Sequence, residues 1–249
     1  MKILLEISYL GTAYSGFQVQ KTVPSIQRSL QDALEAFFGM ALSLSGCSRT
    51  DAGVHAKQFF ATVEGDIAES FPLDRLPIAI ARFLPSDISI RSARRVPDSF
   101  HVRYDVLYKE YEYVILNTPL NDPFYHNRAY HYPKKLDADK MARAASHFVG
   151  RRDFKGFMAQ GSKVVDTVRE IRYFTVQREG DVIRIKVAAD GFLYNMVRIL
   201  CGTLIAVSEG RIEEKDLDAV IASGDRTLAG ATLPPEGLYL SFVSYGDHL

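Results

Sequence analysis

The sequence predicts an α+β fold, and three observations carry the expectation. Strand-like and helix-like segments mix without the strict alternation of a parallel sheet. Their order suggests two similar halves joined near residues 98–108, with no residue-level repeat and no low-complexity linker. The 249 residues suffice for one large domain or two modest ones with real cores. The expected division is 1–104 and 105–249, two α+β halves.

The elements follow in order. Residues 2–9 read as a strand and 10–13 as the turn after it. A helix begins behind Ser25 as N-cap, carries Ile26, Leu30, Ala33, Leu34, Phe37 and Phe38, and stops at Gly39. Residues 42–47 and 58–63 are short strands flanking a loop at 48–54. A helix over 73–83 is interrupted by Pro77 and ended by Pro85, and 88–93 is again a strand. The run 108–116, rich in Tyr, Val and Ile, is a long strand. A helix over 137–149 stops at Gly150, strands lie near 168–177 and 182–188, a helix over 193–208 stops at Gly210, and 238–245 is a closing strand.

Composition excludes several classes. An apolar fraction of 47% and a charged fraction of 24% are those of an ordinary soluble globular chain. Glu6 interrupts the only apolar run near the start, so no signal peptide is expected, and the stretch 192–207 is too short to cross a bilayer comfortably. Two cysteines, Cys47 and Cys201, build no disulfide framework, which makes a reducing cytoplasm the expected location. Phosphate-loop, dinucleotide, nucleophile-elbow and metalloprotease motifs are missing, and the His and Cys residues show no metal-ligand spacing. An enzyme built from this chain would work with carboxylates, arginines and aromatics, with no cofactor.

Net charge is zero, but its distribution is uneven. Residues 75–109 hold seven basic against three acidic side chains, 134–169 nine against four, and 209–218 two against five. Such segregation gives a neutral protein one positive face, or else two solvated faces and an acidic helix.

Three features could carry chemistry. The segment Gly46-Cys47-Ser48-Arg49-Thr50-Asp51-Ala52-Gly53-Val54-His55-Ala56 sets polar groups between two short strands, where reactive side chains are often held; Asp51 is either a reactive carboxylate or the acceptor of a local turn bond. Arg198 is the only charge between Phe192 and Val207, on a helix whose apolar stripe makes it mostly buried. A guanidinium there needs a carboxylate partner or must snorkel to water. Asp51 is a plausible partner, and a neighbouring cation keeps a carboxylate ionised, as a nucleophile or base requires. Tyr104, Tyr108, Tyr111 and Tyr113 are interleaved with Arg103, Lys109 and Glu110 along a strand, suited either to an unstacked base or to a half-buried strand core.

Taken together, these segments resemble the tRNA pseudouridine synthase A family (TruA). The resemblance rests on Tyr9-Leu10-Gly11-Thr12 with Tyr14, Gly16, Phe17 and Gln18; on Ser25-Ile26-Gln27; and on the loop from Arg49 to Ala56. It continues through Phe100-His101-Val102-Arg103-Tyr104, Lys109-Glu110-Tyr111-Glu112-Tyr113, the run from Phe192 to Arg198, Arg226-Thr227-Leu228-Ala229-Gly230 and Gly237-Leu238-Tyr239-Leu240. The order is the family's and the coverage nearly complete. Cys47-Ser48, where Gly or Ala is more usual, and Leu233, where Ala is common before Pro, are departures beside the chemistry.

The resemblance implies a central, mostly antiparallel sheet with the active-site cleft between the halves, and a homodimer that modifies uridines 38 to 40 in the anticodon stem-loop of tRNA. It implies Asp51 as catalytic carboxylate, Arg198 as its partner, Tyr111 as the residue stacking on the target base, and Arg49 as the residue associated with flipping the nucleotide. The reaction breaks the C1′–N1 bond, turns the base and rejoins it through C5. It gains no atoms and so calls for no cofactor. A carboxylate beside C1′ suits the positive character that develops on the sugar, whether it attacks C1′ or abstracts the 2′ proton. A silent RNA binder and a free-nucleoside glycosidase are the competing readings. The first would have no use for Arg198, and the second little use for two basic runs.

Overall fold

The computed structural model describes residues 2–162 and 164–246. Lys163 of the second basic run lies outside them. The strands are β1 (Lys2–Tyr9), β2 (Ser43–Gly46), β3 (His55–Glu64), β4 (Ile88–Val96), β5 (Tyr108–Leu116), β6 (Tyr130–His131), β7 (Gly150–Asp153), β8 (Val168–Glu179), β9 (Val182–Ala189) and β10 (Leu238–Ser244). The α-helices are α1 (Ile26–Phe38), α2 (Leu76–Ile80), α3 (Ala138–Ser146), α4 (Met196–Ser208) and α5 (Leu217–Ser223). They group into two compact units, Met1–Leu107 with Tyr239–Leu249, and Tyr108–Leu238. The closing strand is thus counted with the first unit.

In the first unit β1 is flanked by β4 and β3, both antiparallel to it. The other edge of β3 is used twice. β2 covers Ala61–Glu64 antiparallel, and β10 meets His55 and Ala56 in parallel through Tyr239 and Leu240. α1 begins as the sequence predicts, with the Ser25 hydroxyl accepting from the Arg28 N–H at 3.3 Å and Gly39 at the end. Its buried residues are Ile26, Leu30, Ala33 and Leu34. Phe37 and Phe38 extend that face onto Phe83 and Phe71, at centroid distances of 6.0 and 5.2 Å. The expected helix over 73–83 is cut into a 3-10 turn, the short α2 and a second 3-10 turn. Pro77 falls in the first turn of α2, where its missing N–H costs no helical bond.

The second unit is an antiparallel ladder β5–β9–β8–β7, with β6 added in parallel to β5. α3 starts at the expected Asp137 cap, whose carboxylate accepts from the Lys140 N–H, but ends at Ser146 rather than Val149. The chain turns at Gly150 directly into β7, a strand too short and too charged (Gly-Arg-Arg-Asp) to show as one in the sequence. α4 is buried almost all round, from Met196 to Val207. It starts only after Asn195, three residues later than expected. Asn195 takes a left-handed φ of 59°, a conformation asparagine tolerates better than most residues. Both units are α+β with mostly antiparallel sheets, the expected class.

Candidate active site

The loop carrying Asp51 is fixed from one side by the segment that follows β1. The Tyr9 hydroxyl and Thr50 Oγ1 share a hydrogen bond at 2.9 Å, and the Phe17 N–H donates to the Thr50 carbonyl at 3.2 Å. The Gly53 N–H donates to the Tyr14 carbonyl, and the Val54 N–H closes the turn on the Asp51 carbonyl, each at 3.2 Å. Gly11 and Gly16 let the two segments touch. A Cβ on Gly11 would lie 2.0 Å from the Val54 oxygen, and one on Gly16 2.3 Å from the Thr50 oxygen. The Asp51 side chain is thus carried, half-buried, on a backbone with little room to move, while Arg49 is exposed.

His55, given no role in the sequence, proves to be part of this clamp. Its ring is fully buried, accepts the Gly11 N–H on Nδ1 at 2.9 Å and packs 4.7 Å from the Tyr239 ring. The same unit holds a cavity of about 380 Å³ lined by Ser8, Tyr9, Lys57, Asp87, Arg91 and Tyr239, with the Lys57 ammonium 5.2 Å from the Tyr239 ring centroid. Asp87 takes the Tyr14 hydroxyl at 2.7 Å; burial first, then that bond, pushes the phenol up to about 12.

In the second unit Tyr111 lies on β5 opposite Val187, buried, with Phe192 edge-on at 5.0 Å. Tyr113 shares its face of β5, as period-two alternation requires. Its hydroxyl donates to the Pro234 carbonyl at 2.7 Å, and burial holds it protonated far above the usual phenol range. Tyr104 is not on the strand. It sits in the turn before it, exposed, 4.1 Å from the His101 ring. Arg198, half-buried on the first turn of α4, donates from Nε to the Leu233 carbonyl at 2.6 Å and from Nη1 to Asn195 Oδ1 at 2.8 Å. Leu233 stood out in the sequence only as a departure from the family pattern, and its bond to Arg198 leaves no side-chain signal because only its backbone carbonyl is used. Asn195 fell inside the expected helix 193–208, and its place ahead of α4 shows only in the structure.

The second basic run is partly spoken for. Arg143 meets Glu214 at 3.4 Å, Arg152 and His147 meet Asp218 at 3.3 and 3.0 Å, and Lys134 meets Glu209 at 3.7 Å. The acidic segment 209–218 therefore neutralises part of it within the same unit, while Arg151 and Lys155 stay exposed. Among the described residues, no group of three or more His, Cys, Asp or Glu is placed to hold a metal ion, and no helix is long and apolar enough to cross a membrane.

A family model described as tRNA pseudouridine synthase matches residues 7–105 and 144–246, most of the chain and in two blocks. The chain belongs to the tRNA pseudouridine synthase family. Its enzyme class is that of an isomerase that makes pseudouridine in tRNA. The chain is 43% identical over 246 residues to the tRNA pseudouridine synthase A of Ruminiclostridium cellulolyticum, covering 98% of this chain and 99% of that protein. It is 40% identical to the protein of that name from Thermoanaerobacter sp., with the same coverage, and 38% identical to the one from Bacillus pumilus, across 99% of this chain and all of that one.

Proposed function

We propose that this enzyme isomerises uridines 38 to 40 in the anticodon stem-loop of tRNA, with Asp51 as the carboxylate that acts at the sugar. The observation that carries the reading is the clamp on the 49–54 loop. Five hydrogen bonds, counting the Gly11 N–H on His55, and two glycine-only contacts hold the chain on either side of Asp51, the preorganisation that a group aimed at a developing charge needs. In this reading Arg198 is the cation that keeps Asp51 ionised, and Tyr111 stacks on the detached uracil. Stacking of that kind is worth on the order of 1–3 kcal/mol. Arg49, exposed at the head of the loop, offsets the few kcal/mol of unstacking when the nucleotide leaves the helix. The division of labour puts the carboxylate loop in the first half of the chain and the stacking tyrosine and arginine helix in the second. The active form is a cytoplasmic homodimer, which sedimentation at working concentration tests.

The deciding experiment is tritium release from C5-labelled uridine in unmodified tRNA, with the modified positions mapped, for the native chain and Asp51→Asn. Release at 38–40 by the native chain and none by the variant supports the reading. Release by both removes Asp51 from the centre of the chemistry, and release from other positions moves the substrate site.

A further inference from the structure

The segment Arg226-Thr227-Leu228-Ala229-Gly230 belongs to the resemblance but has no task in the reaction as described. In the structure it runs beside α4 and is bonded to it at two levels. The Gly230 N–H donates to Thr203 Oγ1 at 2.9 Å, and further along, the Leu233 N–H donates to the Arg198 carbonyl at 3.3 Å. Backbone touches backbone between them. A Cβ on Gly202 would lie 1.9 Å from the Ala231 oxygen, and one on Gly230 2.3 Å from the Gly202 carbonyl carbon.

Arg226 ties this segment together. Its Nη1 donates to the Gly230 carbonyl at 2.9 Å and its Nη2 to Thr232 Oγ1 at 3.2 Å, bridging four and six residues ahead. Both acceptors are neutral, and burial disfavours the charged form of the guanidinium. A cation kept partly out of water for two uncharged acceptors is a costly tie, when a neutral donor could close the same turn. What the planar fork adds is direction, since it fixes two acceptors at once in one plane. The segment that it fixes presents the Leu233 carbonyl, which receives Arg198 Nε at 2.6 Å. Asn195 Oδ1 takes Nη1 from the other side. With Nε and Nη1 both engaged, the plane of the Arg198 guanidinium is set.

We propose that Arg226 is a positioning residue for the reaction: it holds the 229–233 segment so that the Leu233 carbonyl, with Asn195, orients the Arg198 guanidinium toward its carboxylate. The inference rests on the reading above that Arg198 serves Asp51. Loss of Arg226 leaves the charge of Arg198 in place and removes its aim.

The test uses full-length enzyme and unmodified tRNA, with Arg226→Lys, Arg226→Ala, Thr232→Val and Arg198→Lys, and the double variant Arg226→Ala/Arg198→Lys. An error of about 1 Å in a catalytic group costs roughly 100-fold. Arg226→Ala is therefore expected to lower kcat by that order with KM for tRNA unchanged, and the acid limb of the kcat–pH profile moves to higher pH. Arg226→Lys, which keeps the charge without the fork, behaves like the alanine variant, and Thr232→Val lies between it and the native enzyme. The double variant is no slower than the slower single one, because both act through one guanidinium. Multiplying defects would overturn the proposal, as would a fall in melting temperature with kcat and the pH profile untouched. If Arg198→Lys alone has native kcat, the role read for Arg198 has failed and the proposal falls with it; if Arg198→Lys is slow but the Arg226 variants are native, only the proposal fails. Should Arg226→Ala not fold, Arg226→Lys and Thr232→Val carry the same comparison.

Discussion

Gly16→Ala is the sharpest test of the clamp that carries Asp51. Gly16 has φ +91°, where an L side chain is strained, at a cost of about 1–2 kcal/mol. Its new methyl would lie 2.3 Å from the Thr50 carbonyl oxygen and 3.3 Å from the Asp51 carbonyl carbon. Neither neighbour is the end of a flexible side chain. Gly16 also accepts the Ile26 N–H at the start of α1, and the Thr50 oxygen accepts the Phe17 N–H, so backing away breaks bonds on both sides. Overpacking of this kind adds about 1–3 kcal/mol, for a total of roughly 2–5 kcal/mol. At about 2–4 °C per kcal/mol for a chain of this size, the melting temperature falls by about 4–20 °C. Gly39→Ala is the control: φ is +69° and nothing lies within 4 Å of the new methyl, so it carries the backbone cost alone. Both changes make the same substitution, so their unfolded-state terms cancel closely. Differential scanning fluorimetry and urea titration of the two variants measure the difference. If Gly16→Ala is no more destabilising than Gly39→Ala, the close approach of the two segments is not what holds the loop.

Further outcomes are expected. Tyr113→Phe leaves the Pro234 carbonyl without its 2.7 Å donor and costs about 1–3 kcal/mol in urea unfolding. Because the Tyr14 phenol is pushed up to about 12 in the folded state from an ordinary value of 10.0, its contribution is complete below pH 10 and drains away as pH rises toward 12. The alkaline loss of stability should therefore be shallower in Tyr14→Phe, and an unchanged slope would argue against the shift. Arg91→Ala and Arg151→Ala should each lower the slope of log affinity for tRNA against log salt by about 1, whereas Arg152→Ala, already paired with Asp218, should lower it less. Equal slopes for all three would remove the distinction between paired and exposed cations.

Much of this architecture was legible where local chemistry speaks. Ser25 and Gly39 bracket α1, and Asp137 opens α3, because caps are written in the residues that make them. The Tyr-rich run became β5 with both expected ends, since a strand of aromatic and β-branched residues has few alternatives. What escaped was set by distant partners. β7 exists because β8 lies alongside, and nothing in Gly-Arg-Arg-Asp announces it. The loop of Asp51 was recognisable, but not that His55 would turn its ring inward to receive the Gly11 N–H. The anchor of Arg198 is a backbone carbonyl 35 residues away, which no side-chain pattern reveals. The pairing of the 134–169 and 209–218 charges also depends on how α3 and α5 lie, so the net charge of a segment overstated the positive surface left for RNA.

β10 sets an order of assembly. The unit Tyr108–Leu238 is one uninterrupted stretch, so every residue it needs has been made once Leu238 emerges from the ribosome. The unit that opens the chain must wait. The edge of β3 at His55 and Ala56 is filled by Tyr239 and Leu240, more than 180 residues later in synthesis. Through that interval the strand that leads out of the Asp51 loop keeps an open edge, the kind of surface that recruits stray strands. The first half of this enzyme is therefore the last to be finished, and a ribosome that stops short of residue 239 releases a chain whose carboxylate loop lacks one of its walls.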